Sequence, residues 1–184
     1  GKEGRRDTWV LWGKIVLGCI PAAAIGVAQA FVCVGTGAIL AAIVGADYFS
    51  FGAALLLVLS QLPILLFCVF LGILFGALLS DKSAPGLTSV FITASGILGG
   101  AWMPLDTMGN LETFCRFLPF YPSVTLGRII TGARHSVSNY ETMYAAPYTF
   151  DRAAKLGWIP ISAFLLAAVV LSFVVFREQM KKDN

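Results

Sequence analysis

Charged residues are scarce in this chain of 184 residues, and they are unevenly placed. Only 12% of the residues are charged and 58% are hydrophobic, whereas a soluble domain is roughly a quarter charged and about half apolar. The charges cluster at the two ends, in a short stretch near residue 81 and through residues 106–155. This scarcity excludes an ordinary soluble domain and indicates long apolar segments that lie in a lipid bilayer.

Several chemical groups are also missing. His135 is the only histidine, so neither a multi-histidine metal site nor a histidine-activated nucleophile is predicted. No apolar stretch has a charged residue or a histidine near its middle, which argues against an ion-coupled carrier and against most intramembrane enzymes. The four cysteines show no C-x-x-C spacing, and around Gly13 and Lys14 the glycine and hydroxyl residues of a phosphate-binding loop are missing. Whatever energy source drives this protein must therefore come from elsewhere.

Long hydrophobic runs are what the sequence has in abundance. About 20 apolar residues cross a bilayer as a helix, and four stretches reach or approach that length: 15–44, 51–80, 86–103 and 157–176. They lack the period-2 alternation of barrel strands, and the first is too long for a signal peptide. The sequence therefore predicts an all-α integral membrane protein, residues 1–184 forming a single membrane domain with four transmembrane helices.

The distribution of Lys and Arg predicts the orientation. Eight of the 13 basic residues fall in the two terminal segments and the turn at 81–85, and five fall in the long segment 104–156. Because cytoplasmic loops carry an excess of Lys and Arg, we expect both ends of the chain in the cytoplasm and residues 104–156 outside. Residues 1–14 are then a cytoplasmic segment at the membrane surface.

The external segment contains two short apolar helices in its first half. The first is indicated by the i, i+3, i+4, i+7 spacing of Leu111, Phe114, Cys115 and Leu118. Pro119 and Pro122 should end it, and Ser123 should cap a second helix over about 124–132. Neither is long enough to cross a bilayer, so we expect two short external helices, re-entrant or interfacial.

Polar and small residues within the runs suggest how the helices meet. The side-chain amides of Gln29 and Gln61 each need a hydrogen-bond partner if they lie in hydrocarbon. Each could line a substrate pathway, or it could form a hydrogen bond between helices. Small residues at four-residue spacing predict close helix packing; they are Gly18, Ala22, Gly26 and Ala30, then Gly72 and Gly76, then Gly96 and Gly100.

Residues 95–132, SGILGGAWMPLDTMGNLETFCRFLPFYPSVTLGRIITG, resemble the C-terminal half of a type-2 ABC exporter permease. In that family a helix end rich in small residues is followed by two short external helices, a proline break, an apolar segment with Arg and Gly, and the last span. The matching residues are Gly96, Gly99, Gly100, Trp102, Met103, Pro104, Leu118, Pro119, Tyr121, Pro122, Arg128 and Gly132. The start of the chain resembles the family's cytoplasmic coupling segment, so the four spans would correspond to helices three to six.

This resemblance implies a permease subunit of an ATP-driven exporter in a bacterial plasma membrane. The subunit would pair with a second permease subunit and dock an ATP-binding cassette subunit; it would need no cofactor, catalyse no reaction and bind no nucleic acid. The implied sites are an ATPase-subunit contact at Glu3, Arg5, Arg6 and Asp7, a substrate pathway at Gln29 and Gln61, and an external gate at Trp102, Pro104, Pro119, Tyr121, Pro122 and Arg128.

Other classes of function stay open. A non-transporting membrane subunit that anchors or assembles another protein would have the same kind of spans, whereas an intramembrane enzyme would need catalytic pairs. Because the family has six spans, we expect either that this chain is the C-terminal part of a permease or that the first two spans belong to another polypeptide. The substrate is not predicted beyond a preference for amphipathic or hydrophobic cargo.

The orientation can be tested by labelling Tyr144→Cys with a membrane-impermeant thiol reagent. We expect label on intact cells, because residue 144 lies in the predicted external segment. Lys82→Cys, in the predicted cytoplasmic turn, should react only after the cells are opened, and the unaltered chain measures the background from the native cysteines. Labelling of residue 144 only in opened cells would contradict the topology.

Overall fold

The computed structural model of the chain describes residues 2–44, 50–80, 82–102, 110–130 and 158–182. These ranges contain helices and no strands, which confirms the all-α class. The helices are α1 (Lys2–Val44), α2 (Phe51–Leu78), α3 (Ala84–Leu98), α4 (Asn110–Cys115), α5 (Phe120–Ile130) and α6 (Trp158–Lys182). Of the predicted external segment, residues 104–109 and 131–156 lie outside these ranges.

Three of the helices are long and apolar enough to cross a membrane: Trp9–Ile43 within α1, the whole of α2, and Trp158–Gln179 within α6. They correspond to three of the four spans predicted from hydropathy. The fourth stretch, predicted over 86–103, forms the helix α3, which ends at Leu98. Its 15 residues extend for roughly 22 Å, less than the ~30 Å hydrocarbon core of a bilayer. The count of four complete spans is therefore not confirmed.

The helix α1 begins at Lys2, well before the apolar run. Leu11 and Ile15, which are four residues apart, are both buried, and the ring of Trp12 lies 5.5 Å from that of Phe173 in α6. Residues four apart share one helix face, so this face packs into the bundle and keeps the early residues helical despite Gly13. Residues 2–14 and the apolar run that follows them are thus one continuous helix.

The helix α2 is the central element, because it packs against α1, α3, α5 and α6. It runs parallel to α6: the ring of Phe67 lies 6.0 Å from that of Phe164, and near the C-terminal ends Nε2 of Gln179 donates to the carbonyl of Ala77 over 2.8 Å. The contact between Trp12 and Phe173 shows that the start of α1 lies at that same end of the bundle. The N-terminal and C-terminal helices therefore meet at one end.

Two glycines end α3. Gly100 has a φ of 70°, the left-handed conformation that L side chains disfavour. The N–H of Gly100 donates to the carbonyl of Ile97, and the N–H of Ala101 donates to that of Gly96. These two bonds form a Schellman motif, which satisfies carbonyls that a helix end otherwise leaves unpaired. The helix therefore stops here in a defined geometry.

The rows of small residues have unequal roles. A Cβ built on Gly26 would lie 3.0 Å from Cδ1 of Leu65 in α2, so α1 and α2 approach closely at this point. At Gly18, Gly72 and Gly76 no described atom lies within 4 Å of such a Cβ. Within the described part of the chain, close packing of two spans is thus confirmed at Gly26 and not along whole rows.

The substitution Gly100→Ala should destabilise the protein by about 1–2 kcal/mol, the cost of a left-handed residue with a Cβ. Thermal unfolding in detergent is the measurement, and a lowered melting temperature is expected. Gly76→Ala is the matched control, since its Cβ meets open space and alanine favours the helical state. Equal melting temperatures for the two variants would contradict this role for Gly100.

Candidate functional site

The helix α5 lies along the N-terminal half of α2 and runs antiparallel to it. At its start, the ring of Phe120 lies 6.0 Å from that of Phe67. Further along, Ser123 bonds to Gln61, and a Cβ on Gly127 would lie 3.3 Å from Cδ1 of Leu57. Successive residues of α5 therefore contact residues that lie progressively closer to the N-terminus of α2. The proline break before α5 is therefore level with the middle of α2.

The same break faces the end of α3. The ring of Phe120 lies 5.6 Å from that of Phe91, and a Cβ on Gly99 would lie 3.2 Å from Cβ of Phe120. From the far end of α5, Nη2 of Arg128 donates to the carbonyl of Gly100 over 2.5 Å. The helix α3 thus stops where α5 starts. Both pack against α2 and are joined by Arg128.

The amide of Gln61 links α2 to α5 through a paired contact. Nε2 of Gln61 donates to the carbonyl of Ser123 over 3.2 Å, and the hydroxyl of Ser123 donates to Oε1 of Gln61. Nε2 also donates to the hydroxyl of Ser60, which in turn donates to the carbonyl of Leu57. Ser60 and Ser123 are both buried. Each polar atom of the Gln61 amide therefore has a protein partner.

The prediction that Ser123 caps a helix over about 124–132 is wrong. The helix α5 begins at Phe120, and Ser123 lies inside it. Pro122 is accommodated because N–H groups in the first turn have no acceptor within the helix, so a proline there removes no bond. The hydroxyl that the sequence suggested as a cap is instead available for Gln61.

The residues of the expected external gate have different environments. Pro119, Tyr121 and Pro122 are buried, and Tyr121 forms a small apolar cluster with Cys115 and Leu98. Arg128 is half-buried. The side chain of Trp102 is 65% exposed, and its ring covers Gly96 at about 3.1 Å from where a Cβ would stand. Pro104 lies outside the described residues.

The two glutamines are not brought together. Gln29 is exposed and lines a groove of about 540 Å³ between α1 and α2, with Gly26, Leu65 and Cys68 among the other wall residues. Gln61 instead contacts α5. For the expected ATPase contact, residues 3–7 lie in α1, and the side chains of Glu3, Arg5, Arg6 and Asp7 lie outside the described part.

The described residues contain no group of three or more His, Cys, Asp or Glu side chains that would hold a metal ion. Sequence reasoning missed Ser60, Ser123 and Phe120 as residues that connect α2 with the break. The one signal in the sequence was the hydroxyl itself, because a serine buried in an apolar segment needs a hydrogen-bond partner. Comparisons of the chain with protein-family models, with curated proteins and with solved structures find no match.

The contact between Gln61 and Ser123 can be measured by a double-mutant cycle with Gln61→Leu and Ser123→Ala. We expect a coupling free energy of about 1 kcal/mol, which is typical of a hydrogen bond between membrane helices, because each substitution removes the bond from the Ser123 hydroxyl to Oε1 of Gln61. Thermal stability in detergent provides the free energies. Gln29→Leu with Ser123→Ala is the control cycle and should be additive; additivity of both cycles would refute the bond between the side chains of Gln61 and Ser123.

Proposed function

We propose that this chain is the transmembrane permease subunit of an ATP-driven exporter and moves its substrate outward across a bacterial plasma membrane. The observation that carries the proposal is that α3 ends at Leu98 and α5 begins at Phe120 beside the middle of α2, an arrangement held by Arg128 and by the Gln61–Ser123 pair. Non-helical backbone at membrane depth is tolerated where protein covers it or where it lines a cavity. Such interrupted helices are a feature of transport proteins.

The proposed orientation places the joint end of α1, α2 and α6 in the cytoplasm. The helix α5 is then re-entrant, with its first turn at the level of the middle of α2 and its last turn toward the outside. Pro119, Tyr121 and Pro122 lie at its inner end and Arg128 near its outer end. These residues, together with Trp102 and Pro104, form the proposed external gate, which opens when α5 moves away from α2.

The proposed route of coupling is α1. A contact made by Glu3, Arg5, Arg6 and Asp7 with an ATP-binding cassette subunit would act on the first turns of a helix that continues to Val44. Because the helix is continuous, displacement of its start is transmitted to its apolar part. ATP favours one orientation of the permease only through different affinity for the inward and outward states.

The proposed substrate pathway passes Gln29, since its amide is exposed within an otherwise apolar groove. Gln61 would border the pathway by holding α5 in its closed position. A second permease subunit would cover the groove from the other side. The cargo would be amphipathic or hydrophobic, because the remaining wall residues offer few polar groups.

The coupling contact is tested by the double substitution Arg5→Glu and Arg6→Glu. We expect a marked loss of the permease-stimulated ATPase activity of the co-purified cassette subunit, because the charge reversal repels the surface that binds the arginines. The matched control is Lys181→Glu with Lys182→Glu, which reverses two charges on the same proposed side. If the Arg5/Arg6 variant still stimulates the ATPase activity, or if the control variant loses stimulation to the same extent, the two arginines do not form the contact.

Co-purification itself decides between the exporter and the non-transporting anchor. An exporter permease should bring down a protein that hydrolyses ATP, and that activity should rise in the presence of the permease. An anchor should bring down a partner without such activity.

A further inference from the structure

A deep cleft lies between α3 and α6 with α2 at its back. The helices α3 and α6 both pack against α2 but have little direct contact with each other. The space between them has a volume of about 450 Å³, and four phenylalanines from four helices surround it: Phe67, Phe91, Phe120 and Phe164. The turn at Leu118 and Pro119 closes it on the side of α5. The cleft is separate from the groove that contains Gln29.

The walls of the cleft exclude water. Among the described residues that line the cleft, Ser95 has the one polar side chain, and its hydroxyl already donates to the carbonyl of Ile92 over 2.8 Å. A buried water needs two to four polar partners, and these walls do not supply them. The occupant must therefore be apolar.

The cleft is large enough for a hydrocarbon chain. On α2 it extends from Phe67 to Leu74, a length of about 10 Å. Its volume of about 450 Å³ is about three times that of an engineered cavity of about 150 Å³ that binds benzene. A slender hydrocarbon chain therefore fits.

The mouth of the cleft opens to the side of the bundle. Leu171 on α6 is 54% exposed and Phe164 is 38% exposed, and both border the cleft. The cleft residues of α2 and α6 fall inside the segments long enough to cross a membrane. At that depth the surrounding medium consists of lipid acyl chains. Because these chains form no hydrogen bonds, none is lost when one of them enters an apolar cleft.

We propose that this cleft binds one acyl chain of a membrane lipid, which enters between α3 and α6. The bound chain contacts Pro119 and Phe120, the residues at which α5 begins, and so fills the space beneath the break. This inference depends on the membrane location of the helices and not on the exporter function. It holds equally for a non-transporting subunit.

The test uses the whole chain in bilayers of phosphatidylcholine with a photoactivatable diazirine in one acyl chain. After irradiation, mass spectrometry maps the adducts, with those on the exposed Phe31 of α1 as internal standard. We expect adducts on cleft residues such as Ala94 and Leu98. Two substitutions that fill the cleft, Leu171→Trp at its mouth and Ala94→Phe in its wall, should each reduce these adducts several-fold relative to Phe31.

Matched controls lie on the same two helices. Leu166→Trp on α6 and Ile92→Phe on α3 place the same bulk on exposed side chains that do not line the cleft, and they should leave the adducts unchanged. Cleft adducts of equal yield in all four variants would overturn the proposal, as would their absence in the unaltered chain. Cleft adducts that appear only after dilution with excess lipid would identify a protein segment as the occupant, which also overturns it.

Discussion

The carbonyl groups at the C-terminal end of α3 impose the constraint on which the rest of the structure depends. In hydrocarbon each must find a partner within the protein. Gly100 and Ala101 supply N–H groups to the carbonyls of Ile97 and Gly96, and Arg128 supplies a guanidinium N–H to the carbonyl of Gly100 itself. A helix that stops within the bundle is stable because its last turn is bonded in this way.

The position of α5 follows from that constraint. With α5 beside α2, Arg128 reaches the carbonyl of Gly100 and Ser123 meets the amide of Gln61. Both polar contacts satisfy groups that would be costly to leave unpaired in an apolar environment. The aromatic contacts of Phe120 with Phe67 and Phe91 add packing at the inner end of α5. Polar contacts thus fix the register of α5, and apolar contacts fill the space around its start.

The short α3 also explains why the bundle is not filled everywhere. The helices α3 and α6 both border the space in front of α2, and beyond the end of α3 the residues Leu118, Pro119 and Phe120 close that space on one side. An apolar space remains below these residues. The break that would allow a gate to move thus also creates the cleft assigned to lipid.

Much of the fold could be predicted from the sequence. The lengths of the apolar runs determined α1, α2 and α6, because a bilayer requires about 20 apolar residues. Pro119 lies between α4 and α5, as predicted, whereas Pro122, which was expected to end the first short helix with it, lies in the first turn of α5, where a proline is tolerated. The end of α3 was placed too late, near residue 103, because hydropathy continues through Gly99 and Gly100 while the left-handed φ of Gly100 stops the helix.

The sequence by itself thus determined that the chain is helical, which stretches are apolar enough for a membrane, and which polar residues within them need partners. Only the tertiary structure decided that Gln61 bonds to Ser123 while Gln29 lines a separate groove. The physical reason is that membrane helices are apolar on every side. Periodicity therefore cannot distinguish the face that meets protein from the face that meets lipid.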